Sequence, residues 1–322
     1  MTQATGANTA LNIYEETTFA IDPGTPDARK AYYSKSGLQK KQALVDSNVL
    51  STSRSRVRAA LGNVDVTGSI ETEISGEDLG ILFKHLFGTQ TNSGAGPYTH
   101  EYTISALPTG LCIEPDYGSA ISGTGRYMKY QGCKINKGTF TFPTSGFCTA
   151  SFDFVGAKAT PTSAPLDATA TDYGHTGFSS FSATIKEGGS TIATVKSATI
   201  TLDNGLDTNA YVIGGGGQRG ALPDGFATAS GSIVCVFADT TMMNKALNNT
   251  SSSLEIILSR GDGLGSTGNE YISFLVENLV YDATTPSIDG PGGIDITLPF
   301  KAFKVSTQLG FKVTVKNAVA TY

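Results

Sequence analysis

Residues 62–88 constrain the fold more than any other stretch, because two periodicities meet there. Val64 and Val66, then Ile70, Thr72 and Ile74, fall on alternate positions, which places them on one face of a pleated strand. From Leu79 the spacing changes. Leu79, Leu82, Phe83 and Leu86 stand at i, i+3, i+4 and i+7, one face of an α-helix. Ser75 is expected to cap that helix, with Asp78 three residues on, and Gly88 to end it in the left-handed conformation. Strand, cap and short amphipathic helix make one unit.

The unit recurs about 160 residues downstream. Gly225–Ile233 has the length of Gly62–Ile70 and the same Gly-Ser-Ile ending, and runs on into Val234-Cys235-Val236-Phe237. Asp239 is the expected second N-cap, Met243 and Leu247 take the places of Leu82 and Leu86, and Asn249 that of Gly88. Upstream, Arg58-Ala59-Ala60-Leu61 is matched by Arg219-Gly220-Ala221-Leu222. The repetition implies an internal duplication. Where the first copy carries Glu71 and Glu73, the second has Val234 and Val236.

With 322 residues there is room for two such copies, each with a core. Glycine is abundant, with 38 residues, charged residues are only 16% and tryptophan is absent, which suits strands and turns better than helices. The expected organisation is an N-terminal arm and first strands over 1–45, a first domain over 46–156, a linker over 157–177 and a second domain over 178–322. The linker is read from Pro161, Pro165 and an aperiodic Thr/Ser/Ala run. Further strands are expected near 99–104, 111–114, 128–142, 147–154, 198–202, 254–258, 271–281, 294–303 and 311–315. Each half then reads as a β-sandwich or barrel with a short flanking helix. Asp203-Asn204-Gly205 is read as a turn.

A net charge of −5 argues against a dedicated nucleic-acid binder, which needs Lys and Arg to displace counterions. No apolar run approaches the length that spans a bilayer. Met1-Thr2-Gln3-Ala4 opens no signal peptide, so folding in a reducing cytoplasm is expected, with Cys112, Cys133, Cys148 and Cys235 as buried thiols. Gly215-Gly216-Gly217-Gln218-Arg219-Gly220 matches Gly-x-Gly-x-x-Gly, but a turn and a strand follow it where a dinucleotide site needs a helix. His85, His100 and His175 have no zinc-ligand spacing. Glu71 and Glu73 could be paired catalytic carboxylates, although valines at the repeat positions favour a solvated face. No catalytic, cofactor or metal constellation emerges. Arg54, Arg56 and Arg58 alternate in a polar connector, where arginine suits either phosphate or, better, carboxylates of another subunit.

In the order of these elements the chain resembles tail tube proteins of long-tailed bacteriophages over nearly its whole length. The resemblance rests on Glu15-Glu16-Thr17-Thr18-Phe19 before a Pro/Gly cluster, the connector ending at Arg58, and Gly62 to Gly68-Ser69-Ile70. It continues with Glu71-Thr72-Glu73 before the helix, Leu202-Asp203-Asn204-Gly205-Leu206, the second Gly-Ser-Ile, and Leu298-Pro299-Phe300-Lys301-Ala302-Phe303. It implies a mainly-β tube fold, rings stacked into a hollow tube, other tail proteins at both ends, and double-stranded DNA passing without specific binding. It places the protein in the virion tail, assembled in the host cytoplasm. Another tail part on a similar fold (terminator, baseplate hub or sheath) is the alternative, and a β-sandwich enzyme or carbohydrate-binding module a third reading. The expected subunit interface comprises Arg54, Arg56 and Arg58 with Gly215, Gly217 and Arg219; Glu71 and Glu73 are expected on the solvent or lumen face. A duplicated chain points to a trimeric, pseudo-hexameric ring, with a true hexamer as the other possibility.

Overall fold

The fold is described from a computed structural model, for residues 3–50, 52–288, 290–305 and 310–322. The first half contains β1 (Ala10–Glu15), β2 (Arg29–Lys30), β3 (Lys35–Ser36), β4 (Gln39–Val45) and β5 (Ala60–Glu73). Then come α1 (Gly80–Phe87), β6 (Gly88–Ser93), β7 (Tyr98–Ile104), β8 (Leu111–Asp116), β9 (Tyr127–Phe142), β10 (Thr149–Gly156) and β11 (Lys158–Thr162). The second half adds β12 (Ala183–Glu187), β13 (Ser190–Thr191), β14 (Val195–Asp203) and β15 (Thr228–Val236). It ends with α2 (Thr241–Leu247), β16 (Ser252–Ser259), β17 (Tyr271–Tyr281), β18 (Asp295–Ala302) and β19 (Phe311–Asn317). All these strands belong to one antiparallel network, so the mainly-β expectation holds.

One order of four strands appears twice. β3 and β4, as far as Gln42, lie along β5 in a single register, β5 pairs with β10, and β10 with β9. In the second half β14 pairs with β15, β15 with β18, and β18 with β17. The two sets join edge to edge through β9 and β14. Gly68 lies opposite Phe154 and Gly231 opposite Phe300. A side chain at Gly68 would run into the Gly37 carbonyl, and one at Gly231 into the Thr199 carbonyl. Both Gly-Ser-Ile glycines therefore let a neighbouring strand come close.

β17 turns this sheet back on itself. Its last residues pair with β18, whereas Tyr271–Val276 pair with β19, and β19 pairs with β7 of the first half. The two layers face each other across α1. Phe83 has ring centroids of Tyr102, Phe140, Phe152 and Phe274 within 5.4–6.4 Å, and Phe140 is 4.8 Å from Phe274. One contiguous buried cluster holds side chains of both halves. Pairing and packing thus cross residues 157–177. That segment is strapped down: β11 pairs with β9, Thr171 N–H bonds the Ala28 carbonyl at 2.8 Å, and Lys30 reaches Asp172 at 2.8 Å.

In α1 every side chain but Lys84 is buried, including His85. Burial alone would raise the Glu15 carboxyl, but hydrogen bonds from His85 and Lys84 take it down to about 2. The cap differs from expectation. The helix begins at Gly80, after Leu79, and Ser75 instead bonds the Asp78 carboxylate, because both residues are buried and polar and so satisfy one another. Gly88 ends the helix at φ 102°. In the second unit the N-cap is Thr240, one residue after the expected Asp239, whose carboxylate still accepts the Thr241 N–H at 2.7 Å, and Asn249 has φ 50°. Here Ala246 is the buried residue, while Met243 is half-buried and Leu247 exposed, so α2 lies at the periphery. The four cysteines are buried free thiols; burial pushes Cys148 and Cys235 up to about 11.

Asn204, read as part of a turn, is buried. Its Nδ2 donates to the carbonyls of Leu86 and Ile135, at 3.0 and 2.9 Å, stitching the end of α1 to β9. Phe83→Ala is expected to cost about 3–5 kcal/mol in denaturant unfolding and to leave one cooperative transition, since both halves pack on that ring. Two separate transitions in the wild-type protein would contradict the shared core.

The strap also carries a titratable clasp. His175 Nδ1 lies 3.1 Å from Asp78 Oδ1, and its ring stacks on Tyr32. Burial opposes the charged imidazole, but the bond and charge of Asp78, aided by Glu73 and Glu77, raise its pKa. A raised folded-state pKa stabilises fully below the unfolded value, near 6.5, and ceases to as pH rises through the folded value. His175→Gln is therefore expected to lower Tm most below about pH 6 and least in alkaline solution. An equal loss at both ends of a pH series of thermal melts would exclude the charged clasp.

Candidate assembly and lumen surface

The sheet β3/β4–β5–β10–β9–β14–β15–β18 has two unlike faces, because residues opposite each other in antiparallel strands point the same way. Ile70, Phe152, Phe140, Ile200, Ile233 and Leu298 are buried on the inner face. On the outer face one row crosses all the strands: Lys35, Glu71, Ser151, Thr139, Thr201, Ser230 and Lys301. The next row runs Glu73, Thr149, Thr141, Thr199, Ser232 and Pro299. Hydroxyls dominate it. Glu71 and Glu73 stand on this face, opposite in sense to Ile70, Thr72 and Ile74, as the period of two requires. Val234 and Val236 hold the matching positions in β15, and Val236 is exposed.

The charges on the face are interleaved. Lys35 reaches Glu71 at 2.9 Å. Asp153, Lys137 and Asp203 are consecutive across β10, β9 and β14. Burial pushes the Asp153 carboxyl up, Lys137 pulls it down, and Asp203 and Glu71 raise it further. Lysine beside carboxylate leaves no basic stripe there for a polyanion to grip.

Two connectors flank this sheet and differ in kind. Between β4 and β5 the described residues 46–50 and 52–59 form a connector, and around them lie exposed Leu44, Val45, Val49, Leu50, Val57 and Leu61. Leu50 is 98% exposed. Arg54, Arg56 and Arg58 are exposed on the same connector, with Arg56 reaching Asp46 at 2.5 Å. Apolar side chains grouped this way on an extended hairpin are typical of an interaction surface.

The 205–224 connector is instead folded onto β5. Gly217 accepts the Val64 N–H at 2.7 Å, and the Tyr211 hydroxyl donates to the Val64 carbonyl at 2.9 Å. Arg219, 6% exposed, donates to the carbonyls of Thr208 and Gly156 and to the Asp65 carboxylate, with Tyr211 stacked on its guanidinium. Arg219 is thus the connector's internal anchor, and its five donors are turned inward. The glycines around it gave no sequence signal for that anchoring; Arg219 was read as a repeat partner of Arg58 and as an interface residue, whereas its guanidinium is turned inward. Gly215 and Gly217 lie in a loop bridged by Tyr211 and Arg219, with no helix after it. Beside it, Val212 and Ile213 are exposed.

The histidines are occupied in separate places. His85 bonds Glu15, and His100 lies between Asn92 and the Val319 carbonyl, each at 2.8 Å, where burial lowers its pKa. Among the described residues no group of three or more His, Cys, Asp or Glu is placed to hold a metal, and no helix is long and apolar enough to cross a membrane.

No individual curated protein matches the chain. The family model for phage tail tube proteins matches residues 6–302. With that match over most of a chain folded as a two-layered β sheet around a central helix, the chain belongs to the phage tail tube protein family, a structural component of the virion.

Proposed function

We propose that the protein polymerises into rings that stack as the hollow tube of a phage tail, and that the outer sheet face lines the lumen through which double-stranded DNA is delivered. The observation that carries this reading is the pair of hydroxyl rows running unbroken from β10 to β15, bordered by Glu71 and Glu73 of β5 and by Lys301 and Pro299 of β18, with strands of both halves side by side. A wall of Ser and Thr with interleaved charges offers phosphates neither a basic track nor an apolar barrier, so DNA slides without the counterion release that would hold it. Glu71 and Glu73 belong to that wall. Other tail proteins meet the tube at its ends, in a virion tail assembled in the host cytoplasm. The family membership favours the tube over a terminator, hub or sheath role.

Three chains per ring suit this arrangement better than six. The second half continues the sheet of the first, which supports wall positions for it over an outer decoration. Three chains then supply six similar positions by closing one repeated contact. We retain the duplication, with halves on either side of 157–177, as the origin of those positions. Electron microscopy of the purified protein is expected to show hollow tubes. Mass per length combined with the axial repeat should give about 100 kDa per ring for three chains of 33.5 kDa. About 200 kDa would discard the trimer, and a stable monomer at high concentration would discard the tube.

The 46–59 hairpin is the proposed contact to the adjacent subunit or ring, with the backbone at Gly215 and Gly217 beside it, held by Arg219. Replacing Arg54, Arg56 and Arg58 together by Ala is expected to leave the fold unchanged by circular dichroism and to abolish tube growth. Normal tubes from the triple variant would overturn that assignment.

A further inference from the structure

The repeated strand order supplies a template for the contact between chains. Inside the chain the halves join where β14 lies on β9, with Ala198 opposite Phe142, Ile200 opposite Phe140 and Asp203 opposite Lys137. Equating the halves by their pairing, Gly68 with Gly231 and Phe154 with Phe300, puts Ser36–Lys41 where Ala198–Asp203 stands. It also puts Asp282–Ser287, the continuation of β17, where Lys137–Phe142 stands. These are the edges that differ between the halves. Among the described residues β3 and β4 have only β5 as strand partner, and 282–288 is not in a strand.

We propose that Ser36–Lys41 of one copy adds to Asp282–Ser287 of the next, in the register of β14 on β9, and that 282–287 becomes a strand only at that contact. The proposal rests on the tube reading and specifies its ring-closing joint.

Hydrogen-bond parity agrees with the register. The Gly37 N–H is spent on the Ser69 carbonyl, so the alternate N–H groups of Leu38 and Lys40 point to the open edge. The Asp282 N–H is spent on the Pro299 carbonyl, so those of Ala283 and Thr285 point away from β18. The register sets Lys40 opposite Ala283 and Leu38 opposite Thr285, the pairs that must exchange bonds. Pro286, with no N–H, falls where its donor would have served β18. It costs the joint nothing, and it withholds a bond that would zip this segment onto β18 within the chain. Charge agrees as well. Lys41 lands opposite Asp282, the reverse of Asp203 opposite Lys137, so an inverted register or the wrong edge forfeits an ion pair.

Gln39 and Thr284 form a non-hydrogen-bonded pair in this register, with Cα atoms about 4.5 Å apart, within disulfide reach. The native thiols are buried and do not compete. Tubes of the Gln39→Cys/Thr284→Cys chain, oxidised and run on non-reducing gels, are expected to give a ladder of linked chains ending in a closed ring. Gln39→Cys with Thr285→Cys, on opposite faces, is expected to stay unlinked. Lys41→Asp is expected to raise the critical concentration for tubes about tenfold or more, and adding Asp282→Lys to restore it. Tubes that form but do not cross-link, or a Lys41→Asp defect that Asp282→Lys leaves unrepaired, would overturn the joint while leaving the tube intact. A wild-type chain that forms no tubes would overturn the tube reading, and the joint with it.

Discussion

Phe83 touches four aromatic rings that come from four strands, three in the first half and one in the second. Everything else in the molecule is arranged so that this contact can form. The helix that carries Phe83 has no solvated face beyond Lys84, so it can exist only if two sheet layers cover it. One layer alone would leave about half of its apolar surface in water, at roughly 25 cal/mol for each Å². The second layer includes β17 and β19, which follow the 157–177 segment. Residues far apart in sequence therefore meet early in any account of stability, and neither half covers α1 by itself. Asn204 reinforces the same junction from the polar side, because the carbonyls at the end of α1 need a donor and it supplies one.

Local periodicity was a good guide wherever a side chain's fate depended on its own strand. The alternation in β5 separates buried Val64, Val66, Ile70 and Thr72 from outward Glu71 and Glu73 as read from the sequence. Leu79, Leu82, Phe83 and Leu86 are buried as their spacing requires. What periodicity could not report was partnership. β9 is a single run of apolar and polar residues in sequence, yet its first part pairs with β8 and β11 and its last part with β10 and β14. Likewise Arg58 and Arg219 are matched in sequence, but Arg58 is exposed while Arg219 is buried among carbonyls and Asp65. The difference lies in what surrounds each one. Ser75 and Asp78 were legible as capping residues and serve instead as a buried polar pair held by His175, an outcome decided by a strap that looked structureless.

The two repeated units differ where their surroundings differ and are alike where they are the same. Gly68 and Gly231 both admit a close strand, and Ile70 and Ile233 both face the core. The helices part company: α1 is enclosed by strands of both halves, whereas α2 keeps Leu247 at the surface and ties itself down through Lys245, 2.6 Å from buried Glu187. One helix position is central and the other peripheral, so only one needed to become apolar all round. On the outer face the hydroxyl rows persist across both copies, which is what a common environment on that face would select.

Two similar sheet units in one chain would also change the thermodynamics of closing the proposed ring. In a ring of identical single units every joint is a bimolecular event that must offset the loss of translational and rotational freedom. Here the β9–β14 joint is made inside the chain, so it is intramolecular, and the 157–177 segment between the halves is itself pinned by β11, Lys30 and Asp78. In the proposed three-chain ring, half of the wall joints would thus be formed on folding, before any subunit meets another. The remaining proposed joints would depend on concentration and on edges that pair only with another copy. A tube protein has to fold without polymerising prematurely, and then polymerise cooperatively on a template. Pre-forming one joint of each pair, while leaving the other dependent on a partner, satisfies both demands with one sheet.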